Sequence, residues 1–117
     1  MDAITLNVTT LASPRGQITA IRVKDVVRNL EWDWDINVGW SNQALPIVIQ
    51  KNSEIYIAFA VKNLGDAGNL DIDVWNLVTQ ERLKQLITYA GAGETVGFEY
   101  TGNIGEVGIQ YVLKVDP

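Results

Sequence analysis

Hydrophobic and polar residues alternate along most of this chain with a period of two. The clearest stretch is Glu31-Trp32-Asp33-Trp34-Asp35-Ile36-Asn37-Val38-Gly39-Trp40. Trp32, Trp34, Ile36, Val38 and Trp40 share one side, and Glu31, Asp33, Asp35, Asn37 and Gly39 share the other. Successive strand side chains point to opposite faces, whereas a helix would scatter these tryptophans around its circumference. The stretch therefore predicts a half-buried strand with an acidic outer face. The same alternation recurs in Ile4, Leu6 and Val8, and in Ile21 and Val23, where Val26-Val27 breaks the register as a bulge or a strand end. It continues through Ile55, Ile57, Phe59 and Val61, then Leu70, Ile72 and Val74, then Val96, Phe98 and Tyr100. Val107, Ile109, Tyr111, Leu113 and Val115 close the series. Between Glu81 and Ala90 the spacing of Leu83, Leu86, Ile87 and Ala90 also fits one short helical face. Strand neighbours on both sides favour a strand there.

Turn residues fall between these runs. Ser13-Pro14-Arg15-Gly16, Pro46 after the tryptophan strand, and Lys51-Asn52-Ser53 are turn signals. Asn63 to Asn69 reads as a longer loop, and Ala90-Gly91-Ala92-Gly93 and Thr101 to Gly105 as further turns. Short alternating strands punctuated at roughly ten-residue intervals predict a sandwich or small barrel. The expectation is an all-β fold, an immunoglobulin-like antiparallel β-sandwich of about seven to nine strands. Residues 1–117 form one domain in this reading, with N-terminal strands in 1–50 added to a core in 54–116.

Composition narrows the chemistry. The 117 residues carry nine Lys and Arg against fourteen Asp and Glu, a net charge of -5. No basic stripe is available to neutralise phosphates, which argues against nucleic acid as a partner. The chain has no Cys and no His. Disulfides, thiolate metal sites, cysteine nucleophiles, the usual zinc ligand and the usual general base near neutral pH all go with them. The start, Met1-Asp2-Ala3-Ile4-Thr5, has neither a positive segment nor a long apolar run, so no signal peptide is expected. Apolar runs such as Ile57-Ala58-Phe59-Ala60-Val61 fall far short of the ~20 residues of a membrane helix, and no membrane insertion is expected.

The second half has a recognisable cadence. Val61-Lys62-Asn63-Leu64-Gly65-Asp66-Ala67-Gly68 ends one strand, and Leu70 to Trp75 forms the next. Ala90-Gly91-Ala92-Gly93-Glu94-Thr95-Val96-Gly97-Phe98 follows, and a last strand ends at Val115-Asp116. Residues 54–116 thereby resemble the CARDB-type (cell-adhesion-related, bacterial) immunoglobulin-like domain, with its V-x-N-x-G strand end and a-G-E-t turn. The resemblance implies a sandwich and a role in adhesion or modular assembly. It implies no catalytic set.

Several candidate sites can be weighed. Gly91, Gly93 and Gly97 are one residue off a dinucleotide-binding spacing, and neither an opening helix nor a Lys-Ser/Thr pair follows. A hairpin turn explains them better. Glu31, Asp33 and Asp35 form one acidic row and Asp71 and Asp73 another, the only oxygen-rich candidates for calcium. Residues i and i+2 of a strand sit about 7 Å apart, wide for chelating one ion, so solvated faces are preferred and no metal or other cofactor is expected. The same carboxylates show no spacing that implies a glycosidase cleft, and no enzyme activity is expected.

Aromatic residues remain. Trp32, Trp34 and Trp40 are more ring than one strand of a small core usually buries, which puts at least one at the rim. Tyr56 and Trp75 fall opposite the apolar rows of their own strands. These five are the candidate interaction surface, since exposed Trp and Tyr anchor interfaces or stack on sugars. The preferred function is a structural or interaction protein that associates with a protein partner or with itself as a homo-oligomer. A virion or a cell surface is the candidate setting. The alternative is a carbohydrate-binding module with a glycan partner.

Overall fold

The computed structural model describes residues 3–11, 13–35, 42–105 and 110–116, with Asp35 and residues 42–45 described by backbone alone. The described residues form nine strands and no helix. In chain order these are β1 (Ala3–Leu11), β2 (Gly16–Asp25), β3 (Leu30–Asp35), β4 (Asn42–Gln50) and β5 (Glu54–Asn63). They continue as β6 (Gly68–Asn76), β7 (Glu81–Ala90), β8 (Thr95–Asn103) and β9 (Tyr111–Val115). One sheet, here sheet A, has the order β4-β1-β9-β6-β7, and sheet B has the order β3-β2-β5-β8. The two pack face to face as an all-β sandwich. Pairing is antiparallel except between β1 and β9, which run parallel. Among the described residues no helix is long and apolar enough to cross a membrane.

The core is the alternation made physical. Leu6 and Val8 of β1, Ile57 and Phe59 of β5, Ile72 and Val74 of β6, and Leu113 and Val115 of β9 all point between the sheets and are buried. Each such side chain contributes about 1.5–3 kcal/mol of burial relative to exposure. Phe59 and Phe98 stack with centroids 5.5 Å apart, and Tyr100 meets the edge of Tyr111 at 5.8 Å. Strands that precede residue 54 extend both sheets: β1 and β4 add to β9, and β2 and β3 add to β5.

Several predicted boundaries move. Pro46 is not a turn but lies within β4, opposite Asn7 of β1. The Asn7 N–H turns away from β4 to the Gln110 side chain, 2.9 Å distant. Opposed residues of such a pair both point outward, so the missing proline N–H falls on the open edge of β4 and costs no ladder bond. Thr101, Gly102 and Asn103 belong to β8 rather than to a turn. The loop after β5 is shorter than predicted, because β6 starts at Gly68. Val26-Val27 is a strand end, as β2 stops at Asp25. Glu81–Ala90 is a strand. On the tryptophan strand β3 covers Leu30–Asp35, while Ile36 to Trp40 lie outside the described residues, as do Val107 and Ile109.

At one end of the sandwich a single side chain ties the turns together. Asn63 is fully buried. Its Nδ2 donates to the carbonyls of Asp66, Ala90 and Gly91, each at 3.1 Å, and its Oδ1 accepts from Gly65 N at 3.0 Å. Arg15, from the β1–β2 turn, adds a bond to the Asp66 carbonyl at 2.6 Å. At the opposite end Asp25 plays a comparable part. Its Oδ1 accepts from Val27 N and Arg28 N at 3.0 and 3.1 Å. Arg28 then reaches Asp25 Oδ2, Ser53 and Gln50, fastening the β2–β3 turn to the β4–β5 turn.

Candidate functional site

The sandwich separates the predicted aromatics. Trp32 and Trp34 stand on the inner face of β3, opposite Val23 and Ile21 of β2, and pack half-buried against the core. Because β3 is an edge strand of sheet B, both rings pack along one side of the sandwich. Trp40 lies outside the described residues. Tyr56 sits half-buried on the outer face of β5, between Lys24 of β2 and Thr101 of β8. Trp75 sits half-buried on the outer face of β6, between Arg82 of β7 and Val112 of β9. Tyr56 and Trp75 therefore face opposite ways. The structure does not bring the candidate aromatics into one platform.

The outer face of sheet B is shallow in the middle. Ala20, Ala60 and Gly97 lie abreast on three strands, and Arg22, Ala58 and Glu99 form the next row. Their short side chains leave an open trough of about 590 Å³ between Asp33 and Glu99. Arg22 Nε bonds Asp33 Oδ1 at 2.8 Å and approaches Glu31 at 3.6 Å. The bond to Asp33, then the charges of Glu31 and Asp33, raise the Arg22 pKa further. This acidic row is thus partnered by an arginine from the neighbouring strand, in an exposed setting where such pairs contribute little stability. Burial first, and the charge and hydrogen bond of Glu99 next, push the Tyr56 phenol above its ordinary value.

The outer face of sheet A is chemically denser. Asp71, Asp73 and Trp75 alternate on the outward side of β6, and β9 runs antiparallel beside it with Ile72 opposite Val115. That register sets Asp116 beside Asp71, and Asp116 N donates to the Asp71 carbonyl at 2.9 Å. One carboxylate oxygen from each of Asp71, Asp73 and Asp116 lies within 4.8 Å of the others. These oxygens come closer than the backbone spacing along one strand, because side chains converge where backbones do not and the segment after β9 supplies the third carboxylate. Asp73 is buried despite facing outward, flanked by its cross-strand neighbours Gln85 and Lys114.

Hydrogen bonding in this patch is incomplete. Gln85 Nε2 holds Asp71 Oδ2 at 2.8 Å. Asp71 Oδ1, Asp73 Oδ1 and Trp75 Nε1 are buried with no hydrogen-bond partner, three of the five such side-chain atoms among the described residues. Native interiors leave few polar groups in that condition. Arg82 Nη1 stands 3.8 Å from Asp73 Oδ1, an ion pair beyond hydrogen-bond range. Burial, followed by the charges of Asp73 and Asp71, raises the Asp116 pKa above the ordinary carboxylate value. Asp116 was invisible as a site residue in the sequence, since nothing local announces which strand β9 will lie against.

Each sheet also presents its edges. The edge strands are β4 and β7 in sheet A, and β3 and β8 in sheet B. On β7 the outward side chains Ile87 and Tyr89 are 56% and 65% exposed. Set against known protein families, curated proteins and solved structures, the chain matches none. Its class rests on fold and surface chemistry: an all-β sandwich with a carboxylate cluster on one outer face and a long open edge strand beside it.

Proposed function

We propose that this protein is a non-enzymatic structural module whose task is protein–protein assembly, with copies of itself as the first partners and a virion or a cell surface as the setting. The observation that carries this reading is the edge strand β7. It is ten residues long, its outer edge pairs with no described strand, and it contains no proline. Its charges, Glu81, Arg82 and Lys84, lie in the first half, leaving Leu86-Ile87-Thr88-Tyr89-Ala90 uncharged. Unpaired backbone donors and acceptors beside exposed apolar side chains are a template for strand addition. The resemblance of residues 54–116 to CARDB-type immunoglobulin-like domains supports the same reading, and its two turn motifs are joined by the Asn63 backbone, which donates to the Glu94 carbonyl and accepts from Gly93 N. The carbohydrate-binding alternative loses ground because Tyr56 and Trp75 occupy opposite outer faces.

Light scattering coupled to size-exclusion chromatography tests the proposal. The wild-type chain is expected to form dimers or larger assemblies as concentration rises. The double variant Ile87→Lys/Tyr89→Lys is expected to stay monomeric, because lysine on an edge strand opposes pairing. A wild-type monomer at every concentration would remove self-association from the reading.

A further inference from the structure

We infer that Asp71, Asp73 and Asp116 form a binding site for a divalent cation of the calcium class on the outer face of sheet A. Proximity alone would not carry this, since acidic residues cluster on many surfaces. The deciding observation is Asp73, whose side chain is only 8% exposed. Its Oδ1 is shut away from solvent with no donor. A carboxylate oxygen in that position is costly unless something positive meets it. The nearest cation, the Arg82 guanidinium, remains 3.8 Å away, and its own side chain is 50% exposed. Arg82 therefore compensates the charge from a distance without satisfying the oxygen.

The donor set favours calcium over magnesium. Calcium takes oxygen ligands in flexible geometry, whereas magnesium demands a near-ideal octahedron and gives up its water reluctantly. Three carboxylate oxygens within 4.8 Å of one another, drawn from a fixed sheet surface, suit the less exacting ion. The second oxygen of Asp71 is occupied by Gln85, which fixes that carboxylate and leaves Oδ1 as its ligand atom. Three carboxylates supply part of the six to eight oxygens that calcium takes, and water completes the shell. The ion would tie β6 to the end of β9, offsetting the repulsion between acidic side chains set side by side on paired strands. Trp75, two residues from Asp73 on the same face, lies close enough to report an ion there.

The test uses the full chain, stripped with chelator and studied at pH 7. Titrating calcium by calorimetry is expected to give saturable one-to-one binding and a higher melting temperature, with magnesium at least tenfold weaker. Terbium is expected to show tryptophan-sensitised emission that calcium displaces and Trp75→Phe abolishes. Asp73→Asn should weaken calcium binding at least tenfold. Asp116→Asn, at a less buried position, should do the same and covers the case in which Asp73→Asn fails to fold. Arg82→Gln should tighten binding severalfold, because it removes a like charge beside the ion. No calcium heat and no melting shift at millimolar calcium would overturn the inference. Equal affinity in the wild type and both aspartate variants would overturn it too, by placing the ion elsewhere.

Discussion

Asn63 makes four hydrogen bonds with one amide and has no exposed surface, so its effect on stability should exceed that of most core methyl groups. Asn63→Ala strips partners from the carbonyls of Ala90 and Gly91 and from Gly65 N together. Leaving such groups unsatisfied costs about 1–3 kcal/mol each when they stay buried. With water reaching some of them, a loss of roughly 3 kcal/mol in urea denaturation is expected. Asp25 acts through charge as well. Burial by itself would raise its pKa, but the bonds from Arg28 backbone and side chain and from Val27 N outweigh burial and hold it below the ordinary value. A depressed carboxylate stabilises the fold above its unfolded pKa of about 3.9 and loses that contribution as pH falls through the folded value. Asp25→Asn is therefore expected to cost about 2 kcal/mol at pH 7. The gap to wild type should close between pH 5 and pH 2, read from urea midpoints across that range.

Among the elements, the four edges differ in how they resist pairing. β3 is six residues long and carries Glu31, Asp33 and Asp35. β4 places Pro46 in its middle, with the missing donor on the open side. β8 exposes no large apolar side chain and contains two glycines. β7 combines length, an uncharged half and two neighbouring exposed apolar residues with no proline to interrupt pairing, which is why the assembly proposal rests there. Because Ile87 and Tyr89 are exposed in the monomer, replacing both with lysine should leave the monomer's melting temperature within a degree or two while abolishing association.

The same strand shows why its periodicity read as ambiguous. Trp75 pairs with Arg82 and Val74 with Lys84, so Leu83 is an extra residue in the ladder. That bulge turns Leu83 and Leu86, three apart, toward the core together and imitates a helical face. A second register shift, between Ile18 and Ala20 in β2, buries Ile18 and Ile21 at the same spacing. Alternation made β7 ambiguous and left Ile18 unremarked, yet both are ordinary strand residues beside a bulge.

For the whole molecule, the last strand is structurally central. β9 lies between β1 and β6 in the middle of sheet A, so the sheet closes only when β9 docks. Val8 pairs with Tyr111 across almost the full sequence, and Gln110 beside it holds both Asn7 N and the Thr5 carbonyl. Removing residues 111–117 would separate β4-β1 from β6-β7 and expose the inner faces of both. The truncated chain is expected to lack a cooperative thermal transition and to bind a hydrophobic dye, which circular dichroism and dye fluorescence would record.

Most strands, and the side of each alternating run that faces the core, were written in the order of residues, and the absence of histidine and cysteine chemistry in the composition. Alternation is a local property, set by the two-residue repeat of an extended backbone, and needs no partner to be read. The neighbour of each strand was decided only on folding. Pairing joins segments as distant as β1 and β9, and one register among several places Asp116 beside Asp71 rather than beside a neutral residue. The aromatics were visible but not their dispersal to opposite faces, and the carboxylates were visible but not their convergence. Both depend on which strands share a sheet, a choice made by the packing of the entire core.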